Sequence, residues 1–415
     1  MITVGLDFGT HQTKVCIEDK QGVETHYKFQ KFEDLNGRRL YTLPSVIYID
    51  DSGLIQYGFA PEGKKFKVIR YFKQAVFRNY DSPNMKLWEA AYYTIWYLSY
   101  ILFELEEEYG QDFTIQMGAP TDSARLDDAK AITVTLIVSA YRLVEEVFKN
   151  DKEKFLKSNY NQLLKLTKVV RYSDKIKDDF GLLVFPEAYA CLKPMVGRGK
   201  VSTGMSLIID IGGGTTDISF FTIENGQPQV YDFFSVDKGL NFLTGTDSMS
   251  SEEPPSNRII KKNTTFLYSE ILRLCTNLVE RLKVEFKCQT ELEVRRLTDA
   301  LKNRPLIYTG GGSTFREVLY PYNDFKELHT ISYDNWKSKL FDDKSLFRDS
   351  SLCPVLSTAY GLSISVATDE IKKKPLRDIF ENIRGVKEDS AVKKGRKFGE
   401  SLGGFDYGTD WDAWK

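Results

Sequence analysis

Leu207-Ile-Ile-Asp210-Ile-Gly212-Gly-Gly214-Thr215-Thr216-Asp217-Ile-Ser-Phe-Phe221 is the stretch on which the reading of this chain turns. Its arms, 206–211 and 218–221, are short and β-branched or aromatic, the composition of two adjacent strands. Between them stand three consecutive glycines and two threonines. Glycine allows a sharp turn and leaves backbone N–H groups uncovered, and a curved row of free N–H groups is an anion-binding nest. Asp210, at the end of the first strand, would stand beside a phosphate held there and meet its divalent cation through water. Taken alone, the stretch also reads as an ordinary Gly-rich hairpin.

The chain opens on the same plan. Ile2-Thr-Val-Gly-Leu-Asp7-Phe-Gly9-Thr10-His11-Gln12-Thr13-Lys14-Val-Cys-Ile17 is again apolar strand, Asp, Gly-Thr turn, apolar strand. This doubled plan is the internal repeat of the sequence. The pair resembles the phosphate-gripping hairpins of the actin, hexokinase and heat-shock chaperone ATPase superfamily, in which two similar lobes each offer one hairpin to the same phosphates. Pro305-Leu-Ile-Tyr-Thr-Gly310-Gly-Gly312-Ser313-Thr314 resembles the strand and turn that pack against adenosine there. Leu356-Ser-Thr-Ala359-Tyr360-Gly361 resembles the Ala-x-Gly helix that closes the fold. The resemblance covers residues 1–368. It implies an α/β, two-lobed actin/hexokinase-like ATPase fold, with duplicated ribonuclease H-like lobes, each a five-stranded sheet carrying a small inserted subdomain. Lobe I is expected over 1–190 with its subdomain at about 40–110. Lobe II is expected over 191–368 with its subdomain at about 240–304.

Composition agrees with two core-bearing lobes. The chain has 415 residues, 42% apolar and 28% charged, and single hydrophobic cores stop growing near ~250–300 residues. A formal net charge of −1 gives no global attraction to nucleic acid or to a membrane surface. Cys16, Cys191, Cys275, Cys288 and Cys353 are scattered without CxxC pairing, which reads as reduced thiols and a cytoplasmic protein. The first strand begins at residue 2, so no signal peptide is expected. The most apolar window, 90–103, is too short to span a bilayer and reads as part of a buried helix over 88–109.

Helical spacing of apolar residues recurs over 124–150 and again over 264–287, where Phe266, Leu267, Ile271, Leu274, Leu278 and Leu282 would face the lobe. Residues 245–263 are polar with Pro254-Pro255 and read as a loop. The lysine-rich segment that starts at Lys149 and ends at Lys177 reads as a solvated helical insertion, with a partner-binding basic face as the alternative. Residues 369–415 read as a flexible charged tail. Its last eleven residues alternate acids with aromatics from Phe405 through Trp411 and Trp414 to Lys415, as a protein-docking motif would.

Phosphoryl hydrolysis needs charge neutralisation and positioning more than covalent help. Asp7 and Asp210, one from each lobe, would hold magnesium through water, with Asp217 orienting the loop or the metal waters. Gly9, Thr10, His11 and Gln12 would offer backbone N–H groups to the phosphates from one side. Gly212, Gly213, Gly214 and Thr215 would do so from the other. His11 is valued here for its backbone rather than its imidazole. The resemblance further nominates Lys73, in Tyr71-Phe72-Lys73-Gln74-Ala75, as a contact of the terminal phosphate. Glu187, in Phe185-Pro186-Glu187, is nominated to position the attacking water. For the nucleoside it implies Glu280 and Lys283 on one helix face, Gly311, Gly312 and Ser313 in the turn, and Phe315 where the chaperones stack an arginine. An intrahelical ion pair also explains Glu280 and Lys283.

No GxxxxGK[ST], HExxH or paired CxxC is present. The expected ligands are ATP or ADP with Mg2+. The expected function is a slowly hydrolysing, heat-shock-chaperone-like ATP switch without a client domain, acting on a protein partner. A filament-forming actin-like protein of the plasmid-segregation or cell-division kind is the alternative, suggested by Thr215-Thr216-Asp217 and by Pro186 preceding Glu187. A non-hydrolysing nucleotide-binding scaffold is the third reading.

Overall fold

The computed structural model of the chain describes residues 1–63, 65–78, 85–121, 126–170, 181–195, 206–224, 227–245, 257–285, 305–315, 327–330 and 332–368, with positions 291, 292, 295, 299 and 371. The first hairpin is β1 (Ile2–Phe8) and β2 (Gln12–Gln21), extended by β3 (Glu24–Phe29). Short strands follow: β4 (Phe32–Glu33) pairs with β5 (Arg39–Leu40), and β6 (Leu43–Pro44) pairs with β2. A separate three-stranded sheet has β7 (Ile47–Asp50) between β8 (Ile55–Tyr57) and β9 (Phe66–Ile69). Ser45 and Val46 separate β6 from β7 and turn the chain from β2 toward this sheet. α1 (Phe72–Arg78) and α2 (Leu87–Tyr109) lead to β10 (Phe113–Ala119), and β11 (Leu182–Pro186) completes the lobe.

The main sheet of lobe I runs β11-β10-β1-β2-β3. In lobe II, β12 (Ser206–Ile211), β13 (Thr216–Glu224), β14 (Gln227–Val236), β15 (Pro305–Thr309) and β16 (Glu327–Thr330) form a sheet ordered β14-β13-β12-β15-β16. The two sheets have one topology. Each is an antiparallel three-strand meander whose first strand is joined on its other side by two parallel strands. The sequence repeat is therefore a structural duplication, and the fold is the two-lobed actin-like one.

The period-3.6 segments fold as helices that cover these sheets. α2 is buried along most of its length, from Ala90 to Leu105. α3 (Leu126–Arg142) packs beside it and ends in one wide π-helical turn, Leu143–Val147. The insertion holds α4 (Lys152–Leu156) and α5 (Tyr160–Thr167). It is less solvated than its lysine content suggests. Phe155 and Leu163 are buried in the lobe I core, Trp96 Nε1 donates to Thr167 Oγ1 at 2.6 Å, and Lys152 pairs with Glu104 and Glu107. Residues 171–177 lie outside the described residues.

α6 (Glu187–Ala190) follows β11 directly, and α7 (Leu240–Thr244) follows β14. α8 (Asn257–Glu285) starts seven residues before the expected 264, so the end of the supposed loop is helical. Leu267 and Ile271 are buried against lobe II as expected, whereas Phe266 is 49% exposed, its ring beside Phe242 on the outer side. The side chains of Leu278 and Leu282 lie outside the described set. α9 (Leu352–Ser363) joins the lobes. Cys16, Tyr27 and Phe29 of lobe I share one core with Ile208, Phe221 and Ile307 of lobe II through Leu356, Ala359 and Tyr360 of this helix. Cys16, Cys191 and Cys353 are buried free thiols. No helix of the described residues is long and apolar enough to cross a membrane. The tail beyond Ile371 lies outside the described residues.

Candidate functional site

Duplication brings the two hairpin loops to opposite walls of one cavity of about 400 Å³. Asp7, Gly9, Thr10, His11 and Gln12 line it from lobe I, and Asp210, Gly212, Gly213, Thr215 and Asp217 from lobe II. Each loop is gripped from behind through its carbonyl groups. In lobe I, Ser45 donates from its hydroxyl to Gly9 O (2.8 Å) and from its backbone N–H to His11 O (2.8 Å). In lobe II, the first N–H groups of α7 do the same: Leu240 to Gly212 O (2.8 Å) and Asn241 to Gly213 O (3.0 Å). Fixing the carbonyls on the outer side suits a loop whose N–H groups are to meet an anion.

Hairpin register decides what stands beside each aspartate. Lys14 is directly opposite Asp7 on β2, and its ammonium lies 2.7 Å from the carboxylate. At the duplicated position in lobe II, the residue opposite Asp210 is Asp217, a second acid. Asp7 is therefore paired, while Asp210 is not. Burial, then the charges of Asp7 and Glu187, raise Asp210 to about 7 against the pull of Lys14 and Lys73. Asp217 is pushed well above the usual carboxylate range, by burial and then Glu187. Its Oδ1 is buried without a hydrogen bond.

The third part of the site comes from α1 and α6. Lys73, in the first turn of α1, and Glu187, the first residue of α6, are 114 residues apart in sequence and 2.6 Å apart in space. Both side chains are nearly enclosed, at 7% and 12% exposure. Burial works to discharge Lys73, but Glu187 and then Asp7 outweigh it and hold the ammonium charged. The Pro186-Glu187 order places the carboxylate at the strand-to-helix junction, where Lys73 reaches it.

On the nucleoside side the expected residues separate. Gly311 lines the cavity, as does its neighbour Gly310. Gly312 and Ser313 are buried behind them, with Ser313 Oγ donating to Gly310 O at 2.7 Å. Phe315 packs against the lobe II core. Glu280 and Lys283 are not in the cavity wall. They pair along α8 at 3.6 Å, the arrangement an intrahelical ion pair would give. Gly310 is indispensable for shape: its φ is +80°, and a Cβ there would lie 2.3 Å from Asp210 Oδ1.

The sequence reading left out Lys14, Gln74, Ser235, Asp237 and Thr358, all in the cavity wall. Thr358 of α9 donates to Asp210 Oδ2 at 3.4 Å. Lys14 was within reach of the sequence, because a tight turn between Phe8 and Thr13 puts residue 14 opposite residue 7. Thr358 and Ser235 carry no local signal.

Six acids (Asp7, Asp128, Glu187, Asp210, Asp217, Asp237) against three cations (Lys14, Lys73, Arg78) leave this cavity short of positive charge. Among the described residues no three acidic, imidazole or thiol groups are placed to ligate one metal directly. The Asp7 and Asp210 carboxylates, one on each wall, are the donor chemistry that would hold a hydrated cation through its waters.

No family model matches the chain, and no curated protein matches it. Among solved structures, the chain is similar to MamK in a double helical filament, at 15% identity over 87% of this chain and 97% of that one, TM-score 0.41. It is also similar to Ta0583, an archaeal actin homolog, in its native form (15% identity, 88% and 98% covered, TM-score 0.38) and in complex with ADP (16% identity, 88% and 98% covered, TM-score 0.37).

Proposed function

We propose that this chain is an actin-like ATPase that binds ATP or ADP with magnesium between its lobes and hydrolyses ATP slowly. The observation that carries the reading is that Asp7 and Asp210, at matching places in two duplicated hairpins, share one cavity. The two Gly-rich loops would hold the phosphates. Asp7 and Asp210, with Asp217 behind them, would hold a magnesium ion through water, and that ion would neutralise charge on the phosphates. Glu187, oriented by Lys73, would position the attacking water. Gly310 and Gly311 would give the nucleoside a flat, side-chain-free wall. Because the site is made from both lobes, loss of the terminal phosphate would change how tightly they close.

For the output, we favour self-assembly over a chaperone-like switch acting on a protein partner. The Pro186-Glu187 order resembles segregation and cell-division actins rather than heat-shock chaperones. Two measurements test these readings. Phosphate release from ATP by the wild type, abolished in Asp210→Ala, is expected. ATP bound but never cleaved would remove hydrolysis from the proposal. Light scattering should rise on adding ATP, and a flat trace at every concentration would return the partner-switch reading.

A further inference from the structure

The imidazole of His11 does more than accompany its backbone. It crosses the seam between the lobes and lies flat against Gly213 of the opposite loop. A Cβ on Gly213 would sit 2.9 Å from His11 Cδ2, 3.0 Å from Cγ and 3.3 Å from Nε2. On its own side the ring is backed by Tyr71 at 5.8 Å. Tyr71 has φ +63°, a conformation that non-glycine residues keep only where the surroundings impose it. It directly precedes α1, which carries Lys73. The imidazole therefore meets both hairpin loops and the residue that leads into α1, the helix that carries Lys73.

Its Nε2 is buried and makes no hydrogen bond, and the same holds for Asn241 Oδ1 on α7. Asn241 is itself more than nine-tenths buried and is fixed by its backbone bond to Gly213 O. The two side chains face each other closely enough for Asn241 to favour the charged imidazole, yet neither closes a bond. Burial, then Arg70 and Lys14, outweigh that and lower the His11 pKa, so the ring is neutral with one N–H to give. An unpaired buried donor or acceptor is costly, on the order of 1–3 kcal/mol. Here two such atoms stand at the meeting point of the loops proposed to hold a phosphate chain.

We propose that the His11 imidazole contacts the terminal phosphate of a bound nucleoside triphosphate and is the residue that distinguishes triphosphate from diphosphate. This rests on the nucleotide-binding reading above. A diphosphate leaves the third phosphate position, where the loops converge, without a ligand for Nε2. A triphosphate gives that donor a charged acceptor, and it bears on Gly213 and Tyr71 through the same ring.

Calorimetric titration of the full chain with ADP and with a non-hydrolysable ATP analogue, both with magnesium, tests the assignment in wild type, His11→Ala and His11→Gln. In His11→Ala the triphosphate affinity should fall about ten-fold or more relative to ADP, the loss of one hydrogen bond to a charged group. His11→Gln, which keeps a donor, should recover part of the preference. An unchanged ratio in both variants, or equal losses for the two nucleotides, would overturn the assignment and leave His11 a structural role. A wild type that binds neither nucleotide would overturn the nucleotide reading itself, which separates the two failures.

Discussion

Replacing Lys73 with methionine removes one half of the Lys73–Glu187 pair and leaves a carboxylate enclosed beside Asp7, Asp210 and Asp217. The consequence follows from the geometry. At 2.6 Å and with both side chains almost wholly covered, the pair's Coulomb attraction at an effective dielectric of ~20 is roughly 6.4 kcal/mol before desolvation is subtracted. Most of that gross figure is offset by the cost of burying two ions, so the pair itself contributes little net stability. Breaking it is another matter, because the surviving charge keeps its desolvation cost and loses its partner. Lys73→Met should therefore destabilise by about 3–5 kcal/mol. The double variant Lys73→Met/Glu187→Gln should recover more than half of that loss. Urea unfolding of the four proteins gives the coupling energy directly. A single variant within about 1 kcal/mol of wild type, or a double variant no better than the single, would refute the reasoning.

Two further substitutions isolate other features. Gly310→Ala places a methyl 2.3 Å from Asp210 Oδ1 and 2.5 Å from Ile211 O at a positive φ, and should cost more than about 2 kcal/mol in unfolding free energy. Gly311→Ala meets nothing within 4 Å, so its stability should stay within about 0.5 kcal/mol of wild type while its nucleotide affinity falls. Lys193 sits 4.1 Å over the Phe185 ring, and burial lowers it to about 7 from an ordinary 10.5. Between those values the unfolded chain binds the extra proton, so stability should rise with pH. Against Lys193→Met, wild type should gain roughly 3 kcal/mol between pH 7 and 9.5 in urea unfolding, and parallel profiles would rule the effect out.

What the sequence made legible was whatever is decided within about fifteen residues. Both hairpins, their aspartates and the Gly-rich turn at 310–314 were plain, because glycine runs between β-branched arms have few other uses. The resemblance supplied Lys73 and Glu187 separately, but their 2.6 Å contact across 114 residues depends on how α1 and α6 approach the sheet. Phe266 was misassigned because the apolar pattern of α8 counts hydrophobic residues and does not say which side the lobe lies on. The basic segment after Lys149 is helical as expected, but its lysine content hides the one face that is buried. Its lysines outnumber Phe155 and Leu163, yet those two residues anchor it to the core. His11 shows the same limit at the site, since nothing local tells that a loop imidazole will meet Gly213 of the other lobe.

The duplication also explains why the two aspartates cannot be equivalent. Both stand at the penultimate residue of the first strand of a meander, and both face the same cavity. Their cross-strand neighbours differ, lysine in one lobe and aspartate in the other. Asp7 is therefore neutralised within its own hairpin, whatever the other lobe does. Asp210 and Asp217 have no cation in theirs, and Asp210 is held near 7 by burial and by the acids opposite. Lobe II thus depends on positive charge brought to the cleft, whereas lobe I does not. In the proposed closure, bringing Asp7 and Glu187 toward Asp210 without a cation would carry an electrostatic cost, and a cation between them would reverse its sign. A symmetric pair of hairpins, each with its own lysine, would close equally well empty or filled. On the proposed function, the Lys14-to-Asp217 exchange would make closure conditional on the ligand.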